Sequence, residues 1–345
     1  MTRAIPLSLE PMLAELTTEI PTGRDWVYEP KWDGFRCLAH RAGERIDLRS
    51  KAGQPLGRYF PEIVRAMQAI PIERTVLDGE IVVPVDGALS FDDLLQRIHP
   101  AASRVLKLSA ERPAVYLVFD LLEDETGRSL LAAPWKQRRK ALEKLADRAF
   151  AATDGRIRLS PAVRDSSTAK TWLRSTGSGL DGVIAKRVDL PYRPGERTAM
   201  RKVKVLRTAD CVVGGFRYAA KERIVGSLLL GLYDETGALD HVGFCSAMSQ
   251  AERRALTPTL EKLVHPPGFT GRAPGGPSRW SSERTGQWEP LRPKRVVEVR
   301  YDHFSQGRFR HGTRFVRWRP DKAPKQCTLA QVRRESRIDL PSILE

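Results

Sequence analysis

Lysines at 31, 186, 202 and 204, arginines at 36 and 319, and carboxylates at 33, 80 and 181 are the side chains that could handle a phosphate-bearing molecule by charge. Charge is the route left open. No Gly-x-x-x-x-Gly-Lys-Ser/Thr loop and no Gly-x-Gly-x-x-Gly after a strand offers a backbone cradle for phosphate. The central stretch is Glu29-Pro30-Lys31-Trp32-Asp33-Gly34-Phe35-Arg36. It sets an amine beside a carboxylate and a guanidinium at what reads as a hairpin, with Asp25–Tyr28 entering, Phe35–Arg41 leaving and Asp33-Gly34 as the tight turn. A solvated hairpin would carry the same residues, so this stretch alone leaves both readings open. Further on, Asp181-Gly182 repeats the turn-plus-strand pattern ahead of Lys186. In an alternating strand Lys202 and Lys204 share one face, and neighbouring ammonium groups call for an anion between them.

Short apolar runs must position these groups. Ile46–Arg49, Val76–Val83 (which holds Asp78-Gly79-Glu80) and Val115–Leu122 read as strands, and Phe60–Ala69, Phe91–Leu106 and Pro134–Phe150 as helices. Hairpin turns outnumber βαβ crossovers, so the class is α+β with antiparallel sheet. Residues Pro6–Arg24 are too brief for a domain of their own. The texture changes near Leu206–Asp210. Beyond it lie strands at Cys211–Tyr218, Ser227–Tyr233, Leu239–Phe244, Val296–Phe304 and Thr313–Trp318, one helix at Ser249–Val264, and a Pro/Gly/Ser/Arg-rich loop from His265 to about Pro290. That is the profile of a small β-barrel of the oligonucleotide-binding (OB) type. The expected division is residues 1–206, then 207–330, then a polar tail, 331–345, that is helical or disordered.

A chain of 345 residues with a formal net charge of +16, spread along its length, favours a polyanionic partner, nucleic acid first. The cysteines at 37, 211, 245 and 327 form no Cys-x-x-Cys pair, and the six histidines no His-x-x-x-His, which argues against zinc and against a disulfide framework. No apolar run approaches the roughly 20 residues that span a bilayer, and the first 20 residues lack signal-peptide order. The expectation is a cytoplasmic protein with no membrane partner.

Taken in order, Lys31-x-Asp33-Gly34-x-Arg36, Asp78-Gly79-Glu80, Val118-Phe119-Asp120, Asp181-Gly182-Val183-Ile184-Ala185-Lys186, Lys202-x-Lys204 and Arg314-Phe315-Val316-Arg317-Trp318-Arg319-Pro320-Asp321-Lys322 resemble the covalent nucleotidyltransferases, most closely the ATP-dependent DNA ligases. The resemblance runs from about Leu9 to Lys322. It implies an adenylation (nucleotidyltransferase) domain followed by an OB-fold domain, with ATP as co-substrate, Mg²⁺ or Mn²⁺ as metal and nicked duplex DNA as partner. Lys31 would attack the α-phosphate of ATP to give a lysyl-adenylate. An ordinary lysine has a pKa of about 10.4, so Lys202, Lys204 and partial burial would have to lower that of Lys31.

The other roles follow from the same likeness. Glu29 would take the base amine, Phe119 stack on adenine, and Glu80 hold a ribose hydroxyl. Lys186 would join the nucleotide pocket. Arg36 and Lys51 would meet phosphate, and Asp181 would help hold the metal. Arg319 and Lys322 would orient pyrophosphate, and Asp33 would act in the later, DNA-directed steps. Two departures stand out: Asp181 occupies a position where the family usually has Glu, and Lys51 one where Arg is common. With about 25 residues ahead of the first motif strand, the chain resembles the minimal two-domain bacterial ligase C type. It would act as a monomer in repair, with a Ku-type end-binding protein as a further partner. DNA binding should then lean on phosphate contacts, each adding roughly −0.9 to the log–log salt slope. The competing readings are an RNA ligase, a capping-type guanylyltransferase, and a non-catalytic OB-fold DNA-binding protein.

Overall fold

The computed structural model describes residues 5–175, 179–275, 287–310, 312–332 and 343. These fall into two compact units, the first running to Val205 and the second starting at Leu206. The expected 331–345 tail lies largely outside the described residues.

In the first unit the strands are β1 (Glu15–Thr17), β2 (Trp26–Trp32), β3 (Phe35–Ala42), β4 (Arg45–Ser50), β5 (Arg74–Val82), the short pair β6 (Pro84–Val85) and β7 (Ala88–Leu89), β8 (Val115–Glu123), β9 (Ile157–Leu159), β10 (Leu180–Arg187) and β11 (Met200–Val203). Two main sheets result, β1-β11-β10-β2 and β4-β3-β5-β8-β9. Pairing is antiparallel except at two edges, where β1 runs parallel to β11 and β9 to β8. Helices α1 (Pro61–Ala69), α2 (Phe91–Gln96), α3 (Ala102–Glu111), α4 (Trp135–Ala149) and α5 (Ser166–Arg174) accompany them. One apolar core joins Tyr28, Trp32, Leu180 and Val183 of the first sheet to Val82, Val115 and Leu117 of the second, with Trp172 of α5. A larger core packs the outer side of the second sheet under α1 and α4.

The structure corrects the hairpin expected at Asp33-Gly34. Strands β2 and β3 do not pair: β2 lies beside β10, whereas β3 lies between β4 and β5. The turn is a corner by which the chain changes sheets. A Cβ on Gly34 would come within 2.3 Å of the Ile81 carbonyl oxygen, so glycine is required by the close crossing over β5 rather than by hairpin geometry. Asp181-Gly182 is likewise no turn. It lies inside β10 at a register shift, with Gly182 at φ +143° and a hypothetical Cβ 2.0 Å from the Val203 carbonyl oxygen. The helix expected over Phe91–Leu106 is two helices, α2 and α3, interrupted where Pro100 cannot donate a helical N–H. In the break, the buried Arg97 guanidinium grips Glu62 of α1 at 2.8 and 2.9 Å.

The second unit holds β12 (Arg207–Tyr218), β13 (Val225–Tyr233), β14 (Leu239–Cys245), α6 (Gln250–Glu261), β15 (Glu289–Pro290), β16 (Val296–Tyr301), β17 (Phe304–Ser305), β18 (Arg308–Phe309) and β19 (Arg314–Trp318). The sheet order is β14-β13-β12-β16-β19, and a bridge between Cys245 and Thr313 brings its two edges together. This is the closed small barrel of an OB fold around one apolar core. The single strand expected over Val296–Phe304 stops at Tyr301 and resumes as the β17–β18 ribbon. A Ser249/Glu252 capping box starts α6.

Candidate active site

Period-two alternation puts Glu29 and Lys31 on one face of β2. Their antiparallel partners on β10 are Ile184 and Gly182, and Lys202 of β11 lies opposite Ile184. These side chains border a cavity together with Lys186, Arg36, Lys51, Glu80, Phe119, Met200 and the segment Pro11–Ala14. Most of the residues that the sequence motifs single out in the first unit therefore meet in one place.

At the inner end, Lys186 Nζ donates to Glu29 Oε2 at 2.8 Å, both side chains being only 3 % exposed. The other oxygen, Glu29 Oε1, is buried with no hydrogen-bond partner. An unmet buried acceptor costs about 1–3 kcal/mol, which a ligand N–H would recover. The Phe119 ring, 7 % exposed, has the Lys186 ammonium 4.7 Å and the Arg36 guanidinium carbon 4.5 Å from its centroid. It borders the cavity rather than serving only as core.

At the other end, Lys31 Nζ bonds to the Asp181 carboxylate, which also takes Lys204 Nζ at 2.8 Å. Lys204 lies just past the end of β11, so the expected shared strand face with Lys202 stops at Val203. The expectation that Lys31 has a lowered pKa is reversed. Burial does pull it down, but Asp181, then Glu80 and Asp33, outweigh burial and hold the ammonium above its ordinary value. Lys202 is the amine pushed down, by burial first and then by Lys31, Lys204 and Lys51. Burial raises Glu80 to about 7 against the opposing pull of Arg36 and Lys31.

Arg36 does not project freely as a phosphate ligand. Its Nε and Nη2 donate to Asp78 Oδ1 and Oδ2, both at 2.6 Å, and Asp78 is fully buried. Asp33 stands at the corner, its N–H donating to the Gly179 carbonyl at 3.0 Å. Lys51 follows β4, borders the cavity, and continues with Arg49 into an adjoining groove.

Arg319 and Lys322 belong to the second unit. There Arg319 Nη1 reaches Asp210 at 2.9 and 3.0 Å, Lys322 Nζ reaches the same carboxylate at 2.7 Å, and Arg319 also grips Asp321. The residues that sequence reasoning missed are Asp78, Asp210, Ile184, Met200 and Pro11–Ala14. Asp78 was legible in principle: it alternates with Glu80, and Arg36 faces Glu80 across β3 and β5. Ile184 sits inside the Asp181–Lys186 motif without being singled out there, and the others carry no signal beyond being apolar or acidic.

Among the described residues no helix is long and apolar enough to cross a membrane. Two family models match the chain, the ATP dependent DNA ligase domain over residues 11–204 and the ATP dependent DNA ligase C terminal region over 221–322. DNA ligase C2 of Mycolicibacterium smegmatis is 46 % identical over 344 residues, 94 % of this chain and 94 % of that protein. The multifunctional non-homologous end joining protein LigD of Mycobacterium bovis is 31 % identical over 329 residues, 92 % of this chain but 39 % of that longer protein. The solved ligase domain of M. tuberculosis LigD, at 28 % identity, aligns with a TM-score of 0.50 over 95 % of this chain and 99 % of that one. Matches that run through both units, over a cavity assembled from the motif lysines, make this chain a member of the ATP-dependent DNA ligase family.

Proposed function

We propose that the chain seals 5′-phosphate/3′-hydroxyl nicks in duplex DNA by way of an AMP carried on Lys31. The observation that carries this reading is the cavity itself: an amine at one end and, at the other, a buried carboxylate with one oxygen still lacking a donor. In the first step the Lys31 ammonium gives up a proton, for which the hydrogen-bonded Asp181 carboxylate is the adjacent acceptor. The freed Nζ forms a bond to the α-phosphorus and loses a second proton to solvent, the bond from that phosphorus to the bridging oxygen breaks, and pyrophosphate leaves with the electron pair. An oxygen of the nick's 5′-phosphate then bonds to the AMP phosphorus as the bond to Lys31 Nζ breaks and the nitrogen takes up a proton. The 3′-hydroxyl oxygen finally loses its proton to solvent and attacks the 5′-phosphate phosphorus, and AMP departs with the electron pair of the broken bond.

In this reading Glu29 Oε1 accepts from the adenine amine, Phe119 and Ile184 flank the base, and Glu80 takes a ribose hydroxyl. Lys202 and Lys204 neutralise the α-phosphate. Arg36, held by Asp78, and Lys51 line the phosphate path, Lys186 holds Glu29 in place, and Asp33 serves the DNA-directed steps. Arg319 and Lys322 orient pyrophosphate. Among the described residues no group of three His, Cys, Asp or Glu could hold a metal unaided. A single carboxylate, Asp181, working with nucleotide phosphates fits the habit of Mg²⁺, which takes one or two carboxylates plus substrate oxygens. Bound there, Mg²⁺ or Mn²⁺ would supply neutralisation of phosphate charge.

The part in repair draws on the relative named for non-homologous end joining. A Ku-type partner and a monomeric state belong to the same proposal. The test mixes the protein with α-labelled ATP and Mg²⁺, follows heat-stable label on the protein, and then adds nicked duplex. Label that forms and is discharged onto the nick is the expected result, and label that nicked DNA cannot discharge redirects the reading to an RNA substrate.

Two further results follow. The Glu80 anion is the better acceptor for a hydroxyl, so the KM for ATP in self-labelling should fall as pH rises through about 7. Glu80→Gln should stay at the high-KM level throughout. Parallel pH profiles for the two proteins would remove Glu80 from the ribose. Arg319→Ala should slow label formation by roughly 100-fold and leave sealing of a nick that already carries a 5′-adenylate unchanged. Equal loss in both assays would show that Arg319 does not act through pyrophosphate.

A further inference from the structure

The wall of the cavity formed by Pro11, Met12, Leu13 and Ala14 has no secondary structure and no charge of its own. It is held to the loop that joins β10 to β11. Leu13 N–H donates to the Glu196 carbonyl at 2.8 Å, Arg193 N–H to Met12 Sδ at 3.3 Å, and Met12 N–H to the Tyr192 hydroxyl oxygen at 2.9 Å. The third of these bonds does not end at Tyr192. The hydroxyl is 2.6 Å from Asp78 Oδ2, the carboxylate that also grips Arg36.

A phenol has one proton to give. The Met12 amide supplies its own, so the tyrosine proton goes to Asp78, and the chain has one direction: Met12 N–H to Tyr192 O–H to Asp78, met from the far side by Arg36. Met12 and Tyr192 are each 3 % exposed and Asp78 is 0 % exposed. Burial, with Asp78 beside it, pushes the phenol well above its ordinary pKa, so it remains a donor. A buried tyrosine satisfied in the core would need only one such partner. Here one hydroxyl links the apolar wall to the carboxylate that aims the guanidinium over Phe119.

We infer that Tyr192, which itself does not border the cavity, is a positioning residue for ATP: its hydroxyl fixes the Pro11–Ala14 wall and the Asp78-held Arg36 in one arrangement. This rests on the reading of the cavity as the ATP site. Tyr192→Phe keeps the ring and removes the link, leaving the buried Met12 N–H unmet and Asp78 Oδ2 with Arg36 as its remaining donor.

The experiment measures single-turnover labelling of the full chain with α-labelled ATP across ATP concentrations, below the melting temperature of each variant. Tyr192→Phe should raise the ATP concentration for half-maximal rate by about tenfold and change the maximal rate by less than about threefold. Replacing Tyr192 with p-aminophenylalanine, which restores a donor and an acceptor, should recover most of the loss. An unchanged ATP dependence in folded Tyr192→Phe overturns the inference, as does equal impairment in both variants, which would make the effect one of packing. If Tyr192→Phe does not fold, hydrogen exchange at the Met12 and Leu13 amides of the unaltered protein decides. Slowing by α,β-methylene-ATP supports the inference, and no change overturns it. A wild type that takes no label sinks the ATP reading and this inference together, whereas normal wild-type labelling with an unresponsive Tyr192→Phe sinks this one alone.

Discussion

Lys31→Ala takes up no label from α-labelled ATP, a loss of at least about 10⁴-fold, yet still seals a nick supplied with its 5′-adenylate already in place. The reason is positional. Lys31 lies near the end of β2 and borders the cavity; of its neighbours, Lys186 is committed to Glu29 and Lys204 to Asp181, and Lys51 lies beyond the end of β4. Lys202 is pushed towards the free amine, but it lies on β11 opposite Ile184 of β10 and would have to be the substitute nucleophile for label to survive. Label persisting in Lys31→Ala would move the nucleophile there. Failure on the preadenylated nick as well would mean that Lys31 holds the site together rather than carrying AMP.

The second large effect concerns Asp181, where opposite forces act on the same amine. Its carboxylate holds Lys31 protonated, so Asp181→Asn lowers the lysine pKa and shifts the rising limb of the labelling rate to lower pH. If that were its only role, the rate near neutrality would rise. We expect instead a fall of roughly 100-fold, because the same carboxylate organises Lys204 and is the one proposed to work with phosphate and metal. Asp181→Glu keeps the charge and retains activity. The decisive measurement is the pH–rate profile of label formation in single turnover. A faster Asp181→Asn enzyme at neutral pH would reduce Asp181 to a proton-holding partner, and complete loss in Asp181→Glu would mean that the pocket is built around the shorter side chain.

How much of this was legible beforehand depends on the kind of interaction. Strands such as Val115–Glu123 and helices such as Trp135–Ala149 are local events, driven by alternation and amphipathic spacing, and their positions follow from the chain to within a residue or two. The break at Pro100 was visible but overridden by the apolar pattern around it. At Asp33-Gly34 the residues announced a turn, but nothing local says whether the strands on either side will pair with each other. That is set by β5 and β10, which arrive about 50 and 150 residues later and offer the partners that win.

By itself, the sequence determined the inventory: a basic chain, cysteines and histidines without metal-ligand spacing, a lysine among charges suited to phosphate, an α+β unit followed by a small barrel, and motifs in the order of a known family. The tertiary structure alone decided the partners. Lys31 is held above its ordinary pKa because the desolvation that pulls it down is outweighed by Asp181, Glu80 and Asp33 together. Arg36 is pinned because Asp78 lies diagonally across a strand pair. Met12 matters because a tyrosine 180 positions away reaches its amide. Electrostatic and hydrogen-bond energies depend on distances of a few ångströms, and between residues far apart in sequence only the folded chain sets those distances.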